Sequence, residues 1–301
     1  MMSTIRSLAY RTGIMAALVI GLAAEAQAQS PLRWKFQAGQ TLNYEFSQKN
    51  QIKVKTPDKE FASKNDLIVN VAWKVKNVTP DGTAEIAMEI KRVQADVEAG
   101  QEKLKYDSQA EKQGEGPAKQ FHDVYSVAIG PEFTLKIDAR GQVLEAKVPE
   151  KVTAALQASP FLAVADGGSF LSEKGLKNVF AQVVPVLPEK PVSKGDTWSA
   201  MIELPVQPLK LTLTHKNTLA ELDDTTAKIT TVLETSIKPE ADSPLVVEMK
   251  KQEGAGTVSV DTKTGRITAS SFIQTINLGL SFMDKKIDQT VSINAQLKLL
   301  P

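Results

Sequence analysis

The sequence predicts a mainly β protein, a β-rich α+β fold of two related antiparallel, curved sheet units joined by a two-helix connector. Three observations carry this. Apolar and polar residues alternate through most of the chain, Gly- and Pro-containing turns punctuate the alternation, and one central stretch switches to helical spacing. Period two is what a strand with one buried face requires, whereas i, i+3, i+4, i+7 gathers apolar side chains on one side of a helix.

Residues 1–28 have the pattern of an export signal: Arg6 and Arg11, an apolar run from Ile14 to Ala24, and the small-x-small site Ala26-Gln27-Ala28, so that cleavage after Ala28 leaves Gln29 first. The run is 11 residues long, well short of the roughly 20 that span a bilayer. No later run is long enough to cross as a helix. The expected location is the periplasm or cell envelope of a bacterium, without a lipid anchor, since there is no Cys to acylate.

The first β unit is expected over residues 29–148. Leu42, Tyr44 and Phe46, then Ile52 and Val54, alternate with polar residues, as do Leu67, Val69, Val71, Trp73 and Val75. Thr79-Pro80-Asp81-Gly82 turns the chain into Ala84, Ile86, Met88 and Ile90, Pro fixing its own φ and Gly accepting a positive one. Residues 94–131 form a long polar insertion, an elongated loop whose Tyr106, Phe121 and Tyr125 suggest that part of it packs back on the body. Phe133, Leu135 and Ile137 resume the alternation, and Ala139-Arg140-Gly141 closes a hairpin.

The helical connector is expected over residues 149–190. Val152, Ala155 and Leu156 fit a short helix, and Asp166-Gly167-Gly168 breaks it. Leu176, Val179, Phe180, Val183 and Val184 fit a second helix with Ser172 as N-cap and Pro185 as stop. The second β unit, residues 191–301, opens at Gly195-Asp196-Thr197-Trp198. It runs through Leu209, Leu211 and Leu213, a turn at Asp223-Asp224, then Ala227 and Ile229, and then Leu245, Val247 and Met249. It ends in two long strands with Val291, Ile293, Ala295, Leu297 and Leu299 in strict alternation.

Two signals recur. Gly39-Gln40-Thr41-Leu42 is echoed by Gly195-Asp196-Thr197-Trp198, and Asp138-Ala139-Arg140-Gly141 by Asp261-Thr262-Lys263-Thr264-Gly265. Gly39 to Asp138 spans 99 residues and Gly195 to Asp261 spans 66, so the first copy is 33 longer, about the size of the polar insertion. Loop closure entropy grows only logarithmically with length, so such an insertion is tolerated.

Pro188-Glu189-Lys190-Pro191-Val192 leading to Gly195-Asp196-Thr197-Trp198, Tyr106-Asp107-Ser108, Asp261 with Gly265-Arg266-Ile267, and the opening Leu32-Arg33-Trp34-Lys35-Phe36 resemble a family of uncharacterised bacterial exported proteins. That family is a domain of unknown function frequent in planctomycetes. The likeness implies an exported β-rich protein over nearly the whole mature chain and carries over no catalytic residue.

The chemistry is bounded by charge and composition. The chain has 36 basic and 35 acidic residues; removing the signal's two Arg and one Glu leaves 34 of each, which lacks the basic footprint of a nucleic-acid binder. Zero Cys excludes disulfides and thiolate sites. His122 and His215 have no metal-ligand spacing, and His215, between Thr214 and Lys216, is expected at the surface or rim. His122-Asp123 with Ser108 or Ser126 would be the only imaginable triad, and the sequence has no nucleophile elbow. Asp223-Asp224 and Asp261 suit turns better than calcium. Asn77-Val78-Thr79 would be a glycosylation acceptor only in a eukaryotic secretory path. No catalytic residue, metal or cofactor is therefore expected. The expected function is non-enzymatic binding of an apolar small molecule, a lipid or an envelope protein by the curved sheets. The alternatives are an assembly module that pairs through sheet edges and an envelope hydrolase built on two carboxylates.

Overall fold

The computed structural model describes residues 31–111, 115–158, 170–206, 209–240, 243–283 and 285–301. The export signal with Ala28 and Gln29 lies outside them, as does Asp166-Gly167-Gly168. The alternating stretches form β1 (Thr41–Lys55), β2 (Glu60–Val78), β3 (Ala84–Ala99), β4 (Glu102–Asp107), β5 (Glu132–Ile137) and β6 (Val143–Lys147) in the first half. The second half holds β7 (Thr197–Val206), β8 (Leu209–Leu222), β9 (Thr226–Pro239), β10 (Leu245–Asp261), β11 (Arg266–Phe282) and β12 (Lys285–Leu299).

All twelve belong to one antiparallel sheet in the order β6-β5-β3-β2-β1-β12-β11-β10-β9-β8-β7, with β4 beside β5 along the outer side of β3. The two halves are therefore a single sheet, joined where β1 pairs β12 from Tyr44–Leu299 to Lys55–Asp288. Among the described residues the chain follows an up-and-down path, with β6 and β7 at its two ends and the short β4, paired to β3 alone, as a further edge.

The sheet is strongly curved. His215 on β8 and Phe272 on β11 are three strands apart, about 14 Å on a flat sheet, yet their ring centroids are 5.6 Å apart. Glycine permits this: Gly256 on β10 lies between them, and a Cβ there would sit 2.1 Å from the Phe272 ring. Both edges meet the same helix, α3 (Glu173–Val183), since β6 residue Val143 and β7 residues Ser199–Leu204 line one groove with it. The result is an open barrel with a seam between β6 and β7.

Helix α3 follows its predicted pattern. Ser172 Oγ accepts the Gly175 N–H at 2.9 Å, satisfying one of the unpaired first-turn donors. Its apolar side enters the barrel, where Phe180 meets Trp73 at a ring distance of 5.2 Å and Ser270 Oγ donates to Val183 O at 2.6 Å. Helix α2 (Glu150–Ala158) precedes it, with Val152 buried.

The stretch 94–131, read from sequence as an elongated loop, is instead regular structure: β3 continues to Ala99, β4 pairs back on it, and α1 (Pro117–Ala128) follows. Phe121, Val124, Tyr125 and Ala128 are buried at i, i+3, i+4 and i+7, a helical stripe diluted by Lys119 and Asp123 on the other side. Tyr125 stacks on Tyr106 of β4 and on Phe170. Their burial pushes the Tyr106 phenol up to about 12 and Tyr125 higher still.

One end of the barrel is closed by residues 32–36. Trp34 N–H donates to Ala139 O and Arg33 donates to Pro188 O and Glu189 O, which fixes the segment across the β5–β6 turn and the connector. Gly141 and Gly265, both at positive φ, are the close approaches: added Cβ atoms would lie 2.8 Å from Trp34 Nε1 and 2.2 Å from Arg33 O. Trp34 stacks on Phe36 and contacts Trp73, which contacts Tyr44. Around them the inward side chains are fully buried, including Ile86, Leu219, Ile229 and Ile267.

Candidate functional site

Strand register turns the inner face into bands. Next to the closed end lies the aromatic and aliphatic core around α3. Farther along, a polar band crosses the sheet: Asn217 and His215 on β8, Thr231 and Thr235 on β9, Gln252 on β10, Gln274 on β11, and Gln48 and Asn50 on β1. Much of it is internally bonded. Thr231 Oγ1 donates to Asn217 Oδ1 at 2.7 Å, Gln274 Nε2 to Thr235 Oγ1 at 2.6 Å, Thr235 N–H to Gln252 Oε1 at 2.6 Å, and Gln48 Nε2 to Asn50 Oδ1 at 3.1 Å.

His215 was expected at the rim, and its place in the structure corrects that: the residue is 0% exposed. Leu209, Leu211, Leu213 and His215 point the same way because strand side chains alternate, so the polar Thr214 and Lys216 beside it belong to the other face. Among the described residues neither imidazole nitrogen has a hydrogen-bond partner, and burial pushes the imidazole down to about 4, so the ring is neutral at pH 7.

Beyond the polar band the inner face turns apolar again, toward the open end. Leu213 and Leu211 on β8, Ile237 on β9, Met249 and Val247 on β10, Ile276, Leu278 and Leu280 on β11, Ile287 and Val291 on β12, and Ile52 and Val54 on β1 share this surface by register, with Gln289 on β12 and Ser63 on β2 as polar residues among them. Most are half-buried, and Ile276 and Leu278, although buried, are not part of the contiguous core that contains Phe272 and Ala295. At the rim Phe61, Phe282 and Met283 are exposed. The outer face of the same strands is mostly polar: Lys49, Gln51, Lys53 and Lys55 on β1, and Lys286, Asp288, Thr290 and Ser292 on β12. This polarity is opposite to that of a barrel facing lipid, which is apolar outside. Among the described residues no helix is long and apolar enough to cross a membrane.

The seam is the second concave feature, a groove of about 670 Å³ between β7, α3 and the β5–β6 turn. Lys174, Lys177, Glu173, Glu203 and Arg140 border it, and Met201 on β7 is 70% exposed. Trp198 anchors the start of β7 by donating from Nε1 to Val186 O at 2.8 Å. A hydrolytic reading would have to use Glu173 and Glu203, the two carboxylates of this groove.

The remaining candidates fall elsewhere. His122 lies on α1 beside Tyr106, while Asp123 pairs with Lys119 at 2.7 Å and Ser108 Oγ accepts the Val93 N–H, so no relay connects them. Asp223 accepts from the Thr225 and Thr226 N–H groups and Asp261 from those of Lys263 and Thr264. Both are turn carboxylates, held below their ordinary range by these bonds. Among the described residues no group of three or more His, Asp or Glu is placed to hold a metal.

Fold and inner face together define a class: an open, curled antiparallel β protein with a filled closed end and an apolar-lined open end. The chain belongs to DUF6263, a family of unknown function, which it matches over residues 81–267. No curated protein matches it by sequence. Among solved structures it is similar to lipovitellin, described for its lipid–protein interactions, at 9% identity and a TM-score of 0.47, covering 88% of this chain and 25% of that one. The chain thus spans a quarter of lipovitellin's length. An outer-membrane channel from Pseudomonas putida F1 matches at 7% identity and TM-score 0.24, covering 91% and 98% of the two chains. OpdQ of Pseudomonas aeruginosa matches at 6% identity and 0.23, covering 87% and 99%. Scores this low support no functional comparison.

Proposed function

We propose that the protein is an exported carrier that holds an elongated apolar molecule against the inner face of its open end. One observation carries this reading: beyond the polar band and outside the packed core the inner face is mostly apolar, interrupted by Gln289 and Ser63, while the outer face of the same strands is mostly polar. A half-buried apolar wall costs solvation energy of roughly 25 cal/mol per Å² left wet, which an apolar occupant recovers. The export signal would put this site in the periplasm or envelope, where lipids and other apolar molecules need a soluble shelter.

The test is native mass spectrometry and solvent extraction of protein purified from the envelope fraction, together with titration of a fluorescent naphthylamine. An extractable apolar molecule and saturable probe binding are expected. Val247→Glu, which points inward, should weaken the probe about tenfold, the loss of one buried aliphatic contact. Val246→Glu, on the outer face of the same strand, should not. Protein that is always empty and does not bind the probe overturns the reading.

A second reading is favoured by the seam. β7 offers an unpaired strand edge along an open groove, the arrangement that captures an extended peptide by adding a strand. A photo-crosslinker in place of Met201 should then trap one envelope protein in cells, and a chain that stays free of adducts would remove this reading.

A further inference from the structure

His215 is the feature that binding by an apolar wall does not explain. A buried imidazole without a partner costs about 1–3 kcal/mol, so a chain that keeps one has either strain or a missing partner at that place. The site is built rather than accidental: His215, Gln274 and Gln182 of α3, with Phe272, Leu213 and Ile293 among the apolar residues, line a cavity of about 20 Å³, enough for one water-sized group. Gln274 is held in place by its bond to Thr235, and Phe272 reaches His215 across Gly256, which has no side chain to obstruct it. The cavity touches Leu213 and Ile293, where the apolar wall begins. A neutral imidazole carries an N–H donor on one nitrogen and a bare acceptor on the other, so the nitrogen that faces the cavity bonds a hydroxyl in either tautomer and a carbonyl oxygen when it is the N–H.

We propose that His215 is the polar anchor of the open end, taking the hydroxyl or carbonyl oxygen at the head of an otherwise apolar ligand whose chain lies along Leu213, Ile276 and Val291. The inference rests on the carrier reading and adds the ligand's class: a long-chain alcohol, ester or undissociated acid rather than a hydrocarbon or a charged headgroup. The anchor is neutral, and the residues bordering its cavity carry no charge that would pair with an ion.

The test uses lipid-stripped protein labelled with ¹⁵N-histidine. The chain has two histidines, so His122→Gln assigns the signals. The probes are 1-decanol and decane, each also measured by displacement of the naphthylamine. Decanol should move the His215 ring nitrogen signals and decane should not. The ratio of decanol to decane affinity should fall about tenfold in His215→Leu, one hydrogen bond's worth. His215→Gln, which keeps a donor and an acceptor, should retain most of the preference. If both probes bind, His215 signals stay fixed and the ratio is unchanged in His215→Leu, the anchor is overturned and the carrier reading stands. If neither binds, both fall.

Discussion

At the scale of single residues, His215 also sets a pH dependence. Its folded-state value is about 4, against 6.5 when unfolded. Above pH 6.5 neither state binds the proton and the contribution is complete. As pH falls from 6.5 toward 4, the unfolded chain is protonated first, and stability is lost, about 3 kcal/mol at most. Wild-type protein should therefore lose urea resistance between pH 7 and pH 4.5, and His215→Leu should lose distinctly less over the same interval. Equal losses would show that the imidazole is not kept neutral. The position of this residue was legible in the sequence, because Leu209, Leu211, Leu213 and His215 have one parity. Weighing Thr214 and Lys216 instead hid it. What no pattern could show is that Gly256 leaves room for Phe272 to reach it, since that contact joins strands fifty-seven residues apart in the chain.

At the scale of elements, hairpins and the capped helix α3 were readable because their signals are local. Asp-containing turns, an N-cap Ser and a stopping Pro act within a few residues. The recurrent Gly turns even make the same bonds: Gly39 N–H donates to Val75 O as Gly195 N–H does to Leu219 O, and Gln40 and Asp196 each accept, through the side chain, the backbone N–H three residues earlier. Helix α1 was hidden because Lys119 and Asp123 interrupt its apolar stripe and because the elements it packs against, the short strand β4 and helix α2, are not named by any local signal. Gly265→Ala tests how tight the second turn is. With φ at 66° and Arg33 O where the methyl would go, the substitution should cost about 2 kcal/mol or more, well above an ordinary loop Gly→Ala, measured by denaturant midpoint. Trp198→Phe should remove the Nε1 bond to Val186 O. Amide exchange should then quicken in β7 by about tenfold, while β1 and β12 are unchanged.

At the scale of the whole molecule, the recurrent turn signals in the sequence suggest two cooperative units, whereas the sheet argues for one. β1 and β12 are adjacent over their length, and residues from both halves surround α3 and the 32–36 segment. Calorimetry should give a single transition, and two separable transitions would contradict the continuous sheet. Sequence reading could not choose between these, because nothing local in β1 or β12 names its partner; both simply alternate. The open end and the seam were equally out of reach, as they are defined by where strands stop being covered rather than by any motif. Separately, the mature protein isolated from cells should begin at Gln29, and a retained leader would remove the exported location from the proposal.

The segment at the closed end has a kinetic consequence. Residues 32–36 leave the ribosome, and enter any export channel, ahead of the strands that receive them, yet their seats are Ala139, Gly141, Pro188 and Gly265. The first strand likewise finds its neighbour only when residues near 299 arrive. Such large sequence separations slow folding to the millisecond-to-second range or beyond. Until then the chain is a set of unsealed hairpins. Sealing waits for β12, so a truncation before Lys285 should leave the polypeptide open to proteases along its entire length.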